Sequence, residues 1–279
     1  INQIFVGNGS DEVIDLAYRI FCTPGKDKAL TFSPTYGMYE VSAGINNVEL
    51  IQLPLDAAFQ IDVPAVKPYL SDDSIKLIFI CSQNNPTGNS IASESIQYIL
   101  ENFKGIVIID EAYIDFAEET SWIESLGKYP QLIVLQTLSK SYGLAGLRLG
   151  MGWASKEVIR ILNKVKPPYN VSSASQKEAI LALSKIGDYR SQIKELNSQK
   201  VWLETALDKI TFVQKRFDSA TNFILIKVDD ATALYNYLVA YGVVVRNRTS
   251  QYGCANCLRI TVGLEKENKK LIELLKNYK

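Results

Sequence analysis

Leu132-Ile133-Val134-Leu135-Gln136-Thr137-Leu138-Ser139-Lys140-Ser141-Tyr142-Gly143-Leu144-Ala145-Gly146-Leu147-Arg148-Leu149-Gly150 carries the reading of the whole chain. Its apolar opening, Leu132–Leu135, has the continuous hydrophobicity of a parallel strand buried on both faces. Lys140 follows at the carboxyl end, among small and hydroxyl residues, and Arg148 comes eight positions later, after a glycine-rich bend. A lone lysine is ordinarily a solvated surface group. At the end of a core strand it is partly desolvated, which lowers its pKa and suits it to form a Schiff base with a carbonyl.

Working outward, further apolar runs alternate with helical patterns. Strands are expected at Ala29–Phe32, Val48–Leu53, Leu77–Ser82, Ile106–Asp110, Ile133–Gln136 and Arg148–Trp153. Helices are expected near Glu12–Phe21, Tyr36–Ala43, Ser93–Asn102 and Lys156–Lys164. This interleaving argues for an α/β fold, a mostly parallel sheet covered by helices with right-handed connections. A long helical region from Ser175 to Lys209, broken near Gly187, carries a charged, solvated face. Beyond it, Asn222–Val228, Ala231–Tyr241, Val243–Arg246, Leu258–Val262 and a last helix from Glu265 read as a smaller carboxyl-terminal α/β domain. The division falls at 1–178 for the large domain and 179–279 for the small one. The chain opens at Ile1 on a strand-like segment entering a loop, and further residues are expected ahead of it.

Composition narrows the chemistry. The 279 residues are 47% hydrophobic, enough for a large core. Thirty basic residues balance thirty acidic ones, so no global field recruits nucleic acid or a membrane surface. No apolar stretch is long enough to span a bilayer and no secretory signal is visible. There is no histidine, which removes Ser-His-Asp and Cys-His machinery and every His-ligated metal. Proton transfer then falls to Lys, Tyr, Asp, Glu or a cofactor. Cys254-Ala255-Asn256-Cys257 is a C-x-x-C without a second pair, so no metal is assigned to it. Cys22 and Cys81 adjoin apolar runs and read as packing residues. Nothing calls for an oxidising compartment, and the cytoplasm is the default.

Open α/β sheets bind ligands beyond the carboxyl ends of their strands. Three such ends carry unusual residues: Ser82-Gln83-Asn84-Asn85-Pro86-Thr87-Gly88, Asp110-Glu111-Ala112-Tyr113 and Thr137-Leu138-Ser139-Lys140. Their parts suit a pyridine aldehyde bearing a phosphate. Asp110 would pair with a protonated pyridine nitrogen and make the ring an electron sink; it could equally cap the next helix. Tyr113 and Asn85 would face the phenolic oxygen, and Arg148, Thr137 and Ser139 the phosphate. Gly7-Asn8-Gly9-Ser10-Asp11-Glu12 leads into an amphipathic run, and a glycine turn there would offer free N–H groups to an anion. Ser10 or Asp11 could instead cap that helix. Tyr36, in Pro34-Thr35-Tyr36-Gly37, would stack on the ring or simply pack.

Together these segments, with Gly143-Leu144-Ala145-Gly146-Leu147-Arg148 and Cys257-Leu258-Arg259-Ile260-Thr261-Val262-Gly263, resemble the fold-type I pyridoxal-phosphate aminotransferases from Gly7 to Gly263. Within that family the resemblance is to the branch acting on histidinol phosphate. It implies pyridoxal 5'-phosphate as cofactor. Lys140 would be its Schiff-base lysine and proton carrier, Asp110 would sit at the pyridine nitrogen, and Tyr113 and Asn85 at the phenolic oxygen. Tyr36 would stack on the ring, and Ser10, Asp11, Thr137, Ser139 and Arg148 would surround the phosphate. Arg259, assisted by Arg246, would bind the carboxylate of glutamate or the phosphate of histidinol phosphate. The implied reaction moves an amino group from glutamate, leaving 2-oxoglutarate, to imidazole-acetol phosphate in histidine biosynthesis, in a homodimer. The family carries an amino-terminal arm ahead of the position of Ile1, with a tyrosine that reaches the neighbouring cofactor. Gln83 stands where that family has proline. A threonine-phosphate decarboxylase-like lyase, an aromatic aminotransferase and a truncated cofactor-binding chain without activity share many of these residues and remain alternatives.

Overall fold

A computed structural model describes residues 2–278; the expectation attached to Ile1 lies outside them. Two sheets organise the chain. The large one is built from β1 (Ile4–Asn8), β2 (Lys28–Ser33), β3 (Glu49–Pro54), β4 (Ile75–Cys81), β5 (Ile106–Asp110), β6 (Leu132–Thr137) and β7 (Leu149–Ala154). Its strand order is β1-β7-β6-β5-β4-β2-β3. The strands from β3 to β6 run parallel, and β7 is antiparallel to both of its neighbours. Helices α1 (Ser10–Phe21), α2 (Met38–Ile45), α3 (Val63–Val66), α4 (Ser93–Asn102) and α5 (Lys156–Val165) cover this sheet.

The buried runs that sequence alone could only call apolar divide between two faces. Leu77, Phe79, Ile108, Ile133 and Leu135 point into one cluster with Val13, Ile14 and Ala17 of α1 and Val158, Ile159 and Leu162 of α5. Ile78, Ile80, Val107, Ile109, Leu132 and Val134 point into the other, with Ile96, Ile99 and Leu100 of α4. The two-residue period of a strand thus serves two cores at once.

After α6 (Ser173–Leu183) and α7 (Ile186–Leu207), the small sheet forms in the order β10-β11-β9-β8. It comprises β8 (Val213–Arg216), β9 (Phe223–Val228), β10 (Arg246–Asn247) and β11 (Cys257–Thr261), packed against α8 (Ala231–Ala240) and α9 (Glu265–Asn277). Two expectations change, and one strand forms where the sequence pattern marks none. The helical break falls at Ser184–Lys185, and Gly187 lies inside the first turn of α7, where a glycine costs little. The strand expected at Val243–Arg246 shrinks to Arg246–Asn247, the pair of residues in register with β11. The polar segment β8 is held as an edge strand by pairing with β9 rather than by apolar periodicity. Ala179 of α6 packs with Leu138 and Leu149 of the large lobe. We therefore propose that the lobes divide at the α6–α7 break rather than at 178/179. Among the described residues no helix is long and apolar enough to cross a membrane.

One close approach locks β7 to the start of α1. A Cβ on Gly150 would lie 2.1 Å from the Ser10 nitrogen and 2.2 Å from the Gly9 carbonyl carbon, both backbone atoms. Gly150→Ala is expected to cost roughly 3 kcal/mol or more, because a main chain cannot step aside as a side-chain tip can. Gly146→Ala, whose added methyl would meet nothing within 4 Å, should stay within about 0.5 kcal/mol of the parent. Urea denaturation midpoints check the contrast, and equal midpoints would show that the approach is looser than described.

Candidate active site

The carboxyl ends of β4, β5 and β6 stand level. Cys81 is in register with Asp110, and Asp110 with Leu135. Beyond them opens a cleft with about 580 Å³ of empty space, partly open to solvent. Ser10, Asp11, Tyr36, Asn85, Asp110, Tyr113, Thr137, Ser139, Lys140 and Arg148 all line it. Gly9, Cys81, Ala112 and Ala145 complete its wall.

At the floor, Asp110 is buried, and one carboxylate oxygen accepts a hydrogen bond from the Tyr39 hydroxyl at 2.9 Å. The other accepts the Ala112 N–H at 3.1 Å, so the local turn contact and the cleft contact coexist on one carboxylate. Burial pushes its pKa up to about 6; the hydrogen bond from Tyr39 restrains the rise. Tyr39, itself fully buried and stacked on Phe79, is a site residue that the sequence does not single out. Its signal there is its place at the end of Pro34-Thr35-Tyr36-Gly37-Met38-Tyr39, one of the segments that carry the family resemblance. Cys81 is buried, as a packing residue should be, but it also faces the cleft, and burial raises its thiol to about 12.

Lys140 enters from the end of β6. The residue is exposed along the open cleft, while its ammonium lies 5.3 Å from the centre of the Tyr113 ring. Partial desolvation lowers its pKa, opposed by the attraction of Asp110. Tyr113 is buried, which raises its phenol to about 12 in spite of the pull of Arg259.

At the other end the groups suit a phosphate. Gly9 precedes α1 with φ 78°, and α1 begins without a side-chain cap. Ser10 and Asp11 therefore do not cap the helix, and its leading N–H groups face the cleft. Arg148 adopts a left-handed conformation at φ 51°, and its guanidinium sits over Gly9, where an added Cβ would meet it at 2.7 Å. The Thr137 hydroxyl is within 2.9 Å of Ser139 Oγ. Asp11 ties this end together, accepting from the Tyr36 hydroxyl at 3.0 Å and pairing with Arg148 at 3.3 Å.

The small lobe supplies the rim. The Arg259 guanidinium donates to Asn85 Oδ1 at 2.5 Å and lies 4.7 Å from the Phe223 ring. Arg246 is exposed and stands directly across from Arg259 in the ladder. Cys254 and Cys257 lie outside the cleft as free, buried thiols.

An anion cradle at an uncapped helix, a buried carboxylate some way below it and an amine between them match pyridoxal 5'-phosphate in chemistry: phosphate, ring nitrogen and carbonyl carbon in turn. The fold and the cleft together define a pyridoxal-phosphate-type aminotransferase. Residues 1–275 match the model of the aminotransferase class I and II family, and the chain belongs to that family. It is 50% identical over 277 residues to the histidinol-phosphate aminotransferase of Flavobacterium johnsoniae, covering 99% of this chain and 78% of that one. The histidinol-phosphate aminotransferase of Clostridium acetobutylicum superposes with a TM-score of 0.90 at 26% identity, over 99% of this chain and 83% of that one. The enzyme of that name from Sinorhizobium meliloti, solved in complex with pyridoxal-5'-phosphate, shares the fold at TM-score 0.88 and 20% identity, over 99% of this chain and 77% of that one.

The raised pKa of Asp110 has a definite sign. The folded protein holds this proton more tightly than the unfolded chain, so ionisation erodes stability as pH climbs from about 4 to about 6 and the cost, roughly 2–3 kcal/mol, is complete above that. Asp110→Asn removes the charge and keeps one acceptor oxygen, for either Tyr39 or the Ala112 N–H. The cofactor-free variant is expected to be more stable than the parent at pH 7.5 and little different at pH 4.5, by urea denaturation. A variant no more stable at pH 7.5 would mean that the carboxylate is not held out of solvent.

Proposed function

We propose that the chain is a pyridoxal-phosphate-dependent transaminase acting between glutamate and 2-oxoglutarate on one side and histidinol phosphate and imidazole-acetol phosphate on the other, a step of histidine biosynthesis. The observation that carries this is the sharing of one cleft by Lys140, Asp110 and the Arg148 cradle, with Arg259 at its mouth. The names of the relatives at about half identity support the choice of substrate.

When bound, pyridoxal phosphate supplies an electron sink for the charge left on the substrate's Cα. The residues do the rest. Arg148, the hydroxyls of Ser10, Thr137 and Ser139 and the leading N–H groups of α1 bind the phosphate. Asp110, ionised at neutral pH, holds a proton at the pyridine nitrogen, and Tyr39 keeps its carboxylate aimed there. Tyr113 and Asn85 would face the phenolic oxygen, and Tyr36 would cover one face of the ring. Lys140 would hold the cofactor covalently at its carbonyl carbon through Nζ, the carbonyl oxygen leaving as water, and as a free amine would carry the proton away from the substrate's Cα. Its lowered pKa leaves more of the amine free to accept that proton. Arg259 binds the carboxylate of glutamate or the phosphate of the other substrate, with Arg246 beside it. A homodimer in the cytoplasm remains part of this proposal.

The test is to load the chain with pyridoxal phosphate, add histidinol phosphate and follow the cofactor's absorption. Conversion to the amine form, reversed by 2-oxoglutarate, is the expected result. Release of carbon dioxide would point to a lyase instead, and an unresponsive spectrum would reject this substrate. Lys140→Ala is expected to lose the borohydride-fixed link between chain and cofactor, and to lower turnover by about 10²- to 10⁴-fold, the usual contribution of a proton-transfer group. A retained link would place the attachment at another amine.

A further inference from the structure

Arg248 lies two residues beyond Arg246, in a loop that no part of the proposed mechanism uses. Its N–H donates to the Cys257 carbonyl at 2.9 Å, extending the β10–β11 pairing by one residue. Arg246 is in register with Arg259, and Asn247 with Leu258. Side chains alternate across this ladder. Leu258 and Ile260 enter the small lobe's own core, while Cys257 and Leu225 enter a cluster of the large lobe. Arg246, Arg248 and Arg259 therefore share the face that looks toward the large lobe, and Arg259 reaches Asn85 in the cleft wall.

Among the described residues these three cations have no counter-ion: no carboxylate oxygen lies within 4.0 Å of any of them. The Nε atoms of Arg248 and of Arg259 are both buried without a hydrogen-bond partner. Thr249 Oγ1 and Gln251 Oε1, on the same loop as Arg248, are also buried and unpartnered. Arg248 is half-buried and close enough to Tyr113 and Arg259 to act on the charge of both. Holding guanidinium groups out of water with no anion beside them is unfavourable unless a ligand brings the charge. One carboxylate satisfies one fork; a phosphate monoester offers about two negative charges and three acceptor oxygens, enough for two forks at once.

We infer that Arg248 is a specificity residue that, alongside Arg259, reads the phosphate monoester of the substrate and contributes little to binding a dicarboxylate. This rests on the proposed activity for the identity of its substrate, though not for the chemistry it recognises. A glutamate carboxylate would then be held by Arg259 with Arg246 beside it, and the phosphorylated substrate by Arg248 as well. The same open site would accept two unlike acidic groups while grading them by charge.

The experiment is calorimetric titration of pyridoxal-phosphate-loaded protein with n-propyl phosphate and, separately, with glutarate. R248Q is expected to weaken n-propyl phosphate by about 10- to 100-fold and glutarate by less than about threefold, while R259Q weakens both. R248K, which keeps the charge and loses the fork, should fall between the parent and R248Q for the phosphate. Should R248Q fail to fold, R248K decides alone, by weakening the phosphate and sparing glutarate. Equal losses for the two ligands, or no loss for the phosphate, would overturn the inference, as would a parent protein that binds n-propyl phosphate no better than glutarate. Because the titration needs no turnover, a chain that selects n-propyl phosphate through Arg248 yet does not convert histidinol phosphate would refute the proposed reaction alone.

Discussion

The cost of keeping a carboxylate out of water governs this molecule. Asp110 ends a strand whose neighbours on both sides are apolar, and its ionised form is favoured there by hydrogen bonds from Tyr39 and the Ala112 N–H and by the attraction of Lys140. Tyr39 is in turn immobilised by its stacking on Phe79, itself stacked with Tyr18. The floor of the cleft is thus an aromatic layer whose packing fixes the direction of one charged group. A strand of a parallel sheet suits that task, since both of its faces are dry and its end is the first place where solvent and ligand can reach.

The opposite end of the cleft depends on backbone rather than side chains. The antiparallel strand β7 brings Gly150 against the start of α1, so closely that only hydrogen fits at its Cα. That contact holds the uncapped helix terminus beside Arg148, one residue before β7, with the guanidinium over Gly9. A phosphate-sized anion would meet a helix dipole, several hydroxyls and one planar fork, each on a different element and none free to drift. Asp11 and Tyr36 brace the arrangement through the shared carboxylate.

The small lobe adds selectivity from outside. Its sheet splits along the alternation of its strands: one face builds a private core and the other lays arginines toward the large lobe. The Arg259–Asn85 hydrogen bond joins the two lobes across the cleft mouth, and Gly88 of the same large-lobe loop accepts the Ala220 N–H through its carbonyl oxygen. On the proposed reading, the groups that would recognise the substrate are carried on a unit separate from those that would hold the cofactor, which would allow charge preference to vary without disturbing the floor.

Much of this was legible in the sequence. Unbroken apolar runs such as Leu132–Leu135 and Ile106–Ile109 mark doubly buried strands because no other element of that length is dry on two sides, and each ends at a residue whose chemistry has no reason to be there for packing: Asp110, then Lys140 after Thr137. The absence of histidine left Lys, Tyr, Asp, Glu or a cofactor to move protons. The sequence did not disclose what depends on distance through space. Tyr39 looks like any core tyrosine until β2 and β5 are brought together in one sheet; Arg248 looks like surface charge until β10 pairs with β11; β8 lacks any apolar pattern and exists because β9 offers it hydrogen bonds. Local chemistry is written residue by residue, so strand ends and reactive groups can be read in order. Hydrogen-bond partners, orphaned charges and edge strands belong to pairs of segments far apart in the chain, and only the folded arrangement decides them.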